Sequence, residues 1–125
     1  MTGAQARLVA TTLGFIDAWN AGHVADALAV LTEDVVGSDC DARGSRVQLR
    51  GKEDFARWLA ERAAEHDRLE VARILNENPD PSTGARVVGV VYASRTSDAG
   101  SLAPRGGTKV VFSEDGLRII AFANC

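Results

Sequence analysis

Two aspartates two positions apart, Asp39 and Asp41, are the residues of this chain whose type and spacing best suit chemistry. In a partly dry cavity, neighbouring carboxylates push one pKa upward, and that shift is how a general base or acid is tuned. The competing reading is a pair of loop carboxylates facing water. Phe15, Trp19 and Trp58 could wall such a cavity, although core packing alone also accounts for large apolar rings. Tyr92 is the chain's one tyrosine, and so its one phenolic donor; the alternative for it is a core or dimer-interface position. His66 closes a helix, where the dipole accounts for it. Arg73 lies on a strand face with Leu69, Val71 and Leu75, where it could pair with a carboxylate or face a cavity opening. No nucleophile triad, P-loop, dinucleotide glycine fingerprint or zinc spacing occurs, so neither a cofactor nor a metal is expected.

The elements that must position these residues follow from periodicity. Leu8, Thr12, Phe15, Ile16 and Trp19 fall on one helical stripe, which predicts a first helix from Thr2 or Gly3 to about Ala21. Gly22 supplies a left-handed stop. Val24, Ala27, Leu28 and Leu31 repeat the helical spacing, so a short second helix follows at an angle, ended by Thr32-Glu33-Asp34. Val35-Val36 opens a strand, and Val47-Gln48-Leu49 could form another. Gly51 precedes a third helix from Lys52 to about His66, with Phe55, Leu59 and Ala63 on its apolar face and Trp58 and Arg62 one row over.

From Leu69 the pattern turns to strands. Residues 69–76 form one, 78–84 a loop, and Ala85 to Thr96 the most buried strand, because valines occur there at both parities. Ser97 to Gly107 reads as a turn-rich loop, and Asp115-Gly116 as a hairpin between two closing strands. Helices followed by a mostly antiparallel sheet define an α+β fold. Three N-terminal helices should pack on a curved sheet, giving a single-domain cone over residues 1–125 with an internal pocket.

The segment Phe15 to Ser38, FIDAWNAGHVADALAVLTEDVVGS, resembles the opening of the nuclear-transport-factor-2-like superfamily, which includes SnoaL-like cyclases and ketosteroid isomerases. The Gly-x-x-x-Phe start of the third helix and the closing strands extend the resemblance over nearly the full length. In the ketosteroid-isomerase branch a general-base aspartate follows the first strand, and ungapped counting brings Asp39 to that place. The resemblance also implies a tyrosine donor on the first helix and a protonated aspartate on a late strand. Phe15 occupies the first position, and the second falls near Thr108, so neither donor is matched. An enolate without such donors gains little stabilisation. The limonene-epoxide-hydrolase branch uses an Asp-Arg-Asp set, and no Arg-x-Asp occurs on the matching strands.

At 125 residues, 46% hydrophobic and 25% charged, the composition is that of one globular domain. A net charge of −3 argues against a nucleic-acid footprint. Arg43, Arg46, Arg50 and Lys52 do form a basic run, which reads as a solvated loop or as an anion-binding patch. No apolar run is long enough for a membrane span, and residues 1–10 lack the pattern of a signal peptide. Cys40 and Cys125 fit no metal or redox spacing, so reduced thiols and a cytoplasmic location are expected.

Two functions remain open on the sequence. One is a SnoaL-like module that binds a small hydrophobic molecule without reaction, lined by Phe15, Trp19, Trp58, Tyr92 and Asp41. The other is a cofactor-free isomerase, cyclase or hydrolase with Asp39 as its base. A homodimer through the outer face of the late strands is expected in either case, because the helices can cover only one face of the sheet. Asp39 is expected at or near the cavity mouth, within reach of a ligand held between Trp19, Trp58 and the sheet.

Overall fold

A computed structural model describes residues 3–40, 45–77, 88–102, 108–113 and 118–124. Helix α1 spans Gly3–Ala21, and its predicted stripe of Leu8, Thr12, Phe15, Ile16 and Trp19 is buried throughout. The Thr12 hydroxyl is satisfied within the helix by donating to the Leu8 carbonyl at 2.9 Å. Gly22 has a φ of +72°, with its N–H donating to the Trp19 carbonyl and that of His23 to Ala18, both at 2.9 Å. These paired bonds form a Schellman stop, which needs the left-handed residue that glycine supplies. Helix α2 follows at once over Val24–Ala29.

Strand β1, Leu31–Cys40, begins four residues earlier than Val35, where the sequence placed its start. Leu31 and Thr32-Glu33-Asp34 therefore belong to the strand and not to the end of α2. Leu31 pairs with Ile119, both fully buried, and the sheet claims a side chain that helical spacing also fitted. Strand β2, Arg46–Arg50, pairs antiparallel with β1 and runs into helix α3, Gly51–Ala64. Asp54 reaches back to accept the N–H of Arg50 at 2.8 Å, satisfying a donor at the helix start. The buried face of α3 is Phe55, Trp58, Leu59 and Arg62, so a guanidinium enters the interior beside the apolar residues.

Strands β3 (Arg68–Glu77), β4 (Val88–Ser97), β5 (Gly100–Leu102), β6 (Thr108–Phe112) and β7 (Ile119–Ala123) complete one sheet. Its order is β2-β1-β7-β6-β4-β3, with β5 paired to β4. All pairings are antiparallel except β1 with β7. The fold is thus the expected α+β cone, three helices against a mostly antiparallel sheet. The stretch read as a loop after Ser97 carries strand β5, joined to β4 by a tight turn in which Ser97 pairs with Gly100. Val87 and the Asp115-Gly116 hairpin lie outside the described residues.

Parity on β4 sorts the two faces. Val91 belongs to the interior cluster and Ala93 packs against it, whereas Val90 is buried outside that cluster. The two parities of valine on β4 thus divide between the core and the outer face. Cys40 is disulfide-bonded, which overturns the expectation of reduced thiols. The chain's other cysteine, Cys125, lies outside the described residues. Sequence separation hid how the parallel register, with Ser38 opposite Ala123, brings the end of β1 beside the chain's last residues. Among the described residues no helix is long and apolar enough to cross a membrane.

The β1–β7 contact depends on one missing side chain. A Cβ on Gly37 would stand 2.2 Å from the Phe122 carbonyl oxygen and 2.9 Å from the Phe55 ring. The first of these neighbours is backbone and cannot step aside. Gly37→Ala should therefore destabilise the fold by about 1–3 kcal/mol through overpacking. Urea unfolding followed by tryptophan fluorescence would show it as a lower midpoint at unchanged slope. An unchanged midpoint would contradict this account of the contact.

Candidate functional site

Strand β1 alternates Val35, Gly37 and Asp39 towards the interior, and this delivers the Asp39 carboxylate among the helices, 4% exposed. Strand β4 delivers Arg95 by the same logic, two residues beyond inward-facing Ala93. Asp67, between α3 and β3, completes the set and is 3% exposed. The Arg95 guanidinium lies between the two carboxylates. Its Nη1 and Nη2 donate to Asp39 Oδ1 and Oδ2 at 2.6 and 3.0 Å. Its Nε and Nη2 donate to Asp67 Oδ1 and Oδ2 at 2.8 and 2.7 Å. Nη1 also reaches the Cys40 carbonyl at 3.2 Å.

The remaining acceptor positions are filled by neighbours. Trp58 on α3 donates its indole N–H to Asp39 Oδ2, and Asn124, just past β7, donates its amide to Oδ1, both at 2.8 Å. Asn124 in turn accepts the hydroxyl of Thr108. On the far side, Arg62 donates to Asp67 at 3.0 Å and to half-exposed Glu65 at 3.1 Å. Trp19 donates to the Asp67 backbone carbonyl at 3.0 Å, and its ring faces the Arg95 guanidinium at 5.4 Å. A continuous polar chain therefore crosses the cone from β6 to α3.

Against this polar chain sits an aromatic cluster. Trp19 and Trp58 meet edge to face at 4.8 Å, and Phe15 meets Phe122 at 5.3 Å. Phe122 also contacts both tryptophans at 6.0 Å. These rings are almost completely shielded from solvent.

Of the residues singled out in the sequence, the structure brings Phe15, Trp19, Trp58 and Asp39 together. Tyr92 is on the opposite face of the sheet, where the Arg73 guanidinium covers its ring at 4.5 Å. A bulge between Val71 and Arg73 breaks the alternation that grouped Arg73 with Leu69 and Val71. Asp41 lies outside the described residues. His66 has a φ of +53° and bonds Asp98 at the surface at 2.8 Å. Among the described residues no cluster has the composition of a metal site.

Sequence reasoning missed Arg95, Asp67, Arg62 and Asn124. An Asp-Arg-Asp set is present in space although no Arg-x-Asp occurs in sequence, because three separate elements supply it. Arg95 continues the parity of Val91 and Ala93, but valines at both parities of the strand mask that signal.

Burial alone would raise the Asp39 pKa. The hydrogen bonds and charge of Arg95, with help from Asn124 and Trp58, outweigh burial and hold it below the usual carboxylate value. Burial likewise disfavours charge on Arg95, but its bonds to Asp67 and Asp39 keep it protonated at every accessible pH. A carboxylate offers about four acceptor sites. Four N–H groups fill those of Asp39, so it is a weak base unless a donor leaves.

The fold is that of the nuclear-transport-factor-2-like superfamily, an α+β cone with three helices packed on a mostly antiparallel sheet. The chain belongs to the SnoaL-like domain family, whose model matches residues 13–124. Among similar solved structures is a nuclear-transport-factor-2-like protein of unknown function from Cytophaga hutchinsonii. It is 14% identical with a TM-score of 0.68, over 93% of this chain and 86% of that one. A ketosteroid-isomerase candidate from Kribbella flavida is 18% identical with a TM-score of 0.66, over 94% and 75%. The orange carotenoid protein of Anabaena (Nostoc) sp. PCC 7120, in a structure binding canthaxanthin, is 18% identical with a TM-score of 0.69; the match covers 90% of this chain and 34% of that protein. A search of curated proteins gave no match.

The depressed pKa of Asp39 links the cluster to pH. A carboxylate whose folded pKa lies below its unfolded value stabilises the fold fully above the unfolded value, near 3.8 here. That contribution is lost as pH falls through the depressed folded value. Unfolding free energy should therefore be flat in its Asp39 contribution above about pH 5 and fall steeply below about pH 4. In Asp39→Asn this acid-side slope should be shallower, at a cost in neutral stability of about 3–5 kcal/mol, because buried Arg95 loses one of its two carboxylates. Urea titrations of both proteins between pH 3 and pH 8 measure both effects. Equal slopes would show that Asp39 is not the linked group.

Proposed function

We infer that this domain is a noncatalytic SnoaL-like binding module for a small hydrophobic molecule, working as a homodimer. The observation that carries the reading is the saturation of Asp39: both oxygens accept two N–H groups, and a carboxylate so held orients its surroundings better than it takes a proton. The apolar partner surface is the ring cluster of Phe15, Trp19 and Trp58 beside it. Edge-to-face contacts are worth only about 0.5–1.5 kcal/mol each beyond burial. Apolar area removed from water returns about 25 cal/mol per Å², so a hydrophobic guest can offset the parting of a few rings. The orange carotenoid protein, in which a related fold accompanies canthaxanthin binding, is in keeping with such a guest. This chain spans about a third of that protein's length.

The dimer reading rests on the outer face of β3 and β4. Leu75 is 43% exposed there, opposite Val90 in register, with Tyr92 on the same face. The helices lie on the other side of the sheet, so a partner would remove this apolar strip from water. Light scattering at high micromolar concentration should give twice the chain mass, and Leu75→Arg should halve it. A wild-type monomer at that concentration defeats the dimer reading.

A second reading has one observation in its favour, the spatial set of Asp39, Arg95 and Asp67. The limonene-epoxide-hydrolase branch, whose Arg-x-Asp pattern this chain lacks, uses an Asp-Arg-Asp set; on this reading the chain is a cofactor-free hydrolase in which Asp39 takes a proton from water. Titration with the uncharged probe Nile red, and incubation with limonene oxide, separate the two. The module reading expects saturable dye binding that shifts the indole N–H resonances of Trp19 and Trp58, with no diol formed. Diol formation that Asp39→Asn lowers by about 10²–10⁴-fold would replace it with the hydrolase reading. Absence of dye binding removes the support for an interior hydrophobic guest.

A further inference from the structure

The basic run noted in the sequence is put to use by neither reading above. Strand β2 alternates, so Arg46, Gln48 and Arg50 face one side, opposite Cys40, Ser38 and Val36 of β1. That side is the outer face of the sheet, away from Trp19 and Trp58, since Leu49 and Gly37 between them turn to the core. A hollow of about 450 Å³ lies there along β2, β1 and β7. The volume is within the range of about 300–1,000 Å³ usual for small-molecule sites.

The hollow has a cause in residue size. On β7 the outward positions carry Ala121 and Ala123, opposite Val36 and Ser38 in the parallel register. Two methyl groups leave the centre low, while Val36, Gln48 and Arg50 stand along its rim. Val36 is 49% exposed, a large apolar side chain with nothing over it among the described residues. Arg50 is exposed, and its guanidinium pairs with no carboxylate among the described residues. Asp54, the nearest candidate partner, is occupied by the Arg50 backbone N–H and the Arg57 guanidinium. Lys52 is engaged with Glu33 at 3.5 Å.

We propose that this outer hollow binds a small amphipathic carboxylate, such as a medium-chain carboxylic acid. Arg50 takes the carboxylate through its two-pronged guanidinium, a geometry that a lysine could not supply. Gln48 adds an amide donor beside it, and the acyl chain lies over Ala121, Ala123 and Val36. The apolar floor alone would accept any hydrophobic guest; the unpaired cation at its rim selects an anionic one. The site is independent of the interior reading, because the sheet separates it from the aromatic cluster.

Amide and indole NMR resonances during titration with octanoate, octanol and acetate test the proposal. Octanoate should bind saturably and shift the amides of Val36, Arg50, Ala121 and Ala123, leaving the Trp19 and Trp58 indoles in place. Octanol, without charge, and acetate, without a chain, should each bind at least about tenfold more weakly. Arg50→Gln should weaken octanoate at least about tenfold without changing thermal unfolding or Nile red binding, and Ala121→Leu should abolish octanoate binding by filling the floor. Octanoate that moves the indoles instead, or that binds Arg50→Gln as well as wild type, overturns the site. So does octanoate that fails to bind, including the case where these amides are protected by a second copy of the chain.

Discussion

The guanidinium of Arg95, held between the carboxylates of Asp39 and Asp67, is the interaction on which the interior depends. It joins four parts of the chain that share no local sequence: the end of β1, the turn before β3, the C-terminal end of β4 and, through Asn124, the residue after β7. Taking three charges out of water costs several kcal/mol each before their attraction and hydrogen bonds offset it. Such a cluster contributes little net stability over apolar residues of the same volume, but it tolerates almost no alternative geometry. Strand β4 shifted by one residue would send Arg95 to solvent, leaving Asp39 buried without a cation and Asp67 with Arg62 alone. The ion cluster therefore selects one register among those that the valines of β4 would accept.

That constraint also limits the chemistry. General-base catalysis asks for a carboxylate with a raised pKa and a free lone pair facing the substrate. Asp39 is buried enough for the first condition, since burial is the largest influence on it, yet its four donors reverse the outcome. Asn124 and Trp58 add to the larger effect of Arg95. Each removes one acceptor site, and the two come from elements that meet only in the folded chain. The same bonds hold the Trp58 ring against Trp19, so polar saturation and aromatic packing are one arrangement.

Much of this was legible in the residues. The α1 stripe, the Gly22 stop and the third helix follow from spacing alone, because a long amphipathic pattern admits one reading. Asp39 is singled out by ungapped counting from the Asn-Ala-Gly corner, although a water-facing loop position also fits its sequence. Its partner is not. Arg95 sits in the sequence Ala93-Ser94-Arg95-Thr96, which reads as the solvated end of a strand. Valines at both parities of β4 hid which positions face inward, and with them the fate of Tyr92. Asp67 lies between a helix and a strand, where a carboxylate is ordinary, and nothing local marks it as buried. Leu31 satisfied helical spacing and strand pairing equally, so only its contact with Ile119 decides between them. Local pattern reveals the elements; long-range pairing reveals the site.

The parallel pair β1–β7 explains why the polar set is closed on its β1 side. Without a side chain on Gly37, the two strands approach closely enough for the Phe122 carbonyl and the Phe55 ring to close on that position and for Ala123 to stand level with Ser38. One residue on, the Asn124 N–H reaches the Ser38 carbonyl at 3.0 Å, and its side chain is thereby aimed at Asp39. A bulkier residue at position 37 would part the strands and draw Asn124 away, opening one acceptor site on Asp39 Oδ1, which Arg95 would still hold. The same close pairing lines up Ala121 and Ala123 on the outer face and shapes the hollow there. A single glycine thus sets the packing on both sides of the sheet: a sealed carboxylate within and an open apolar floor without.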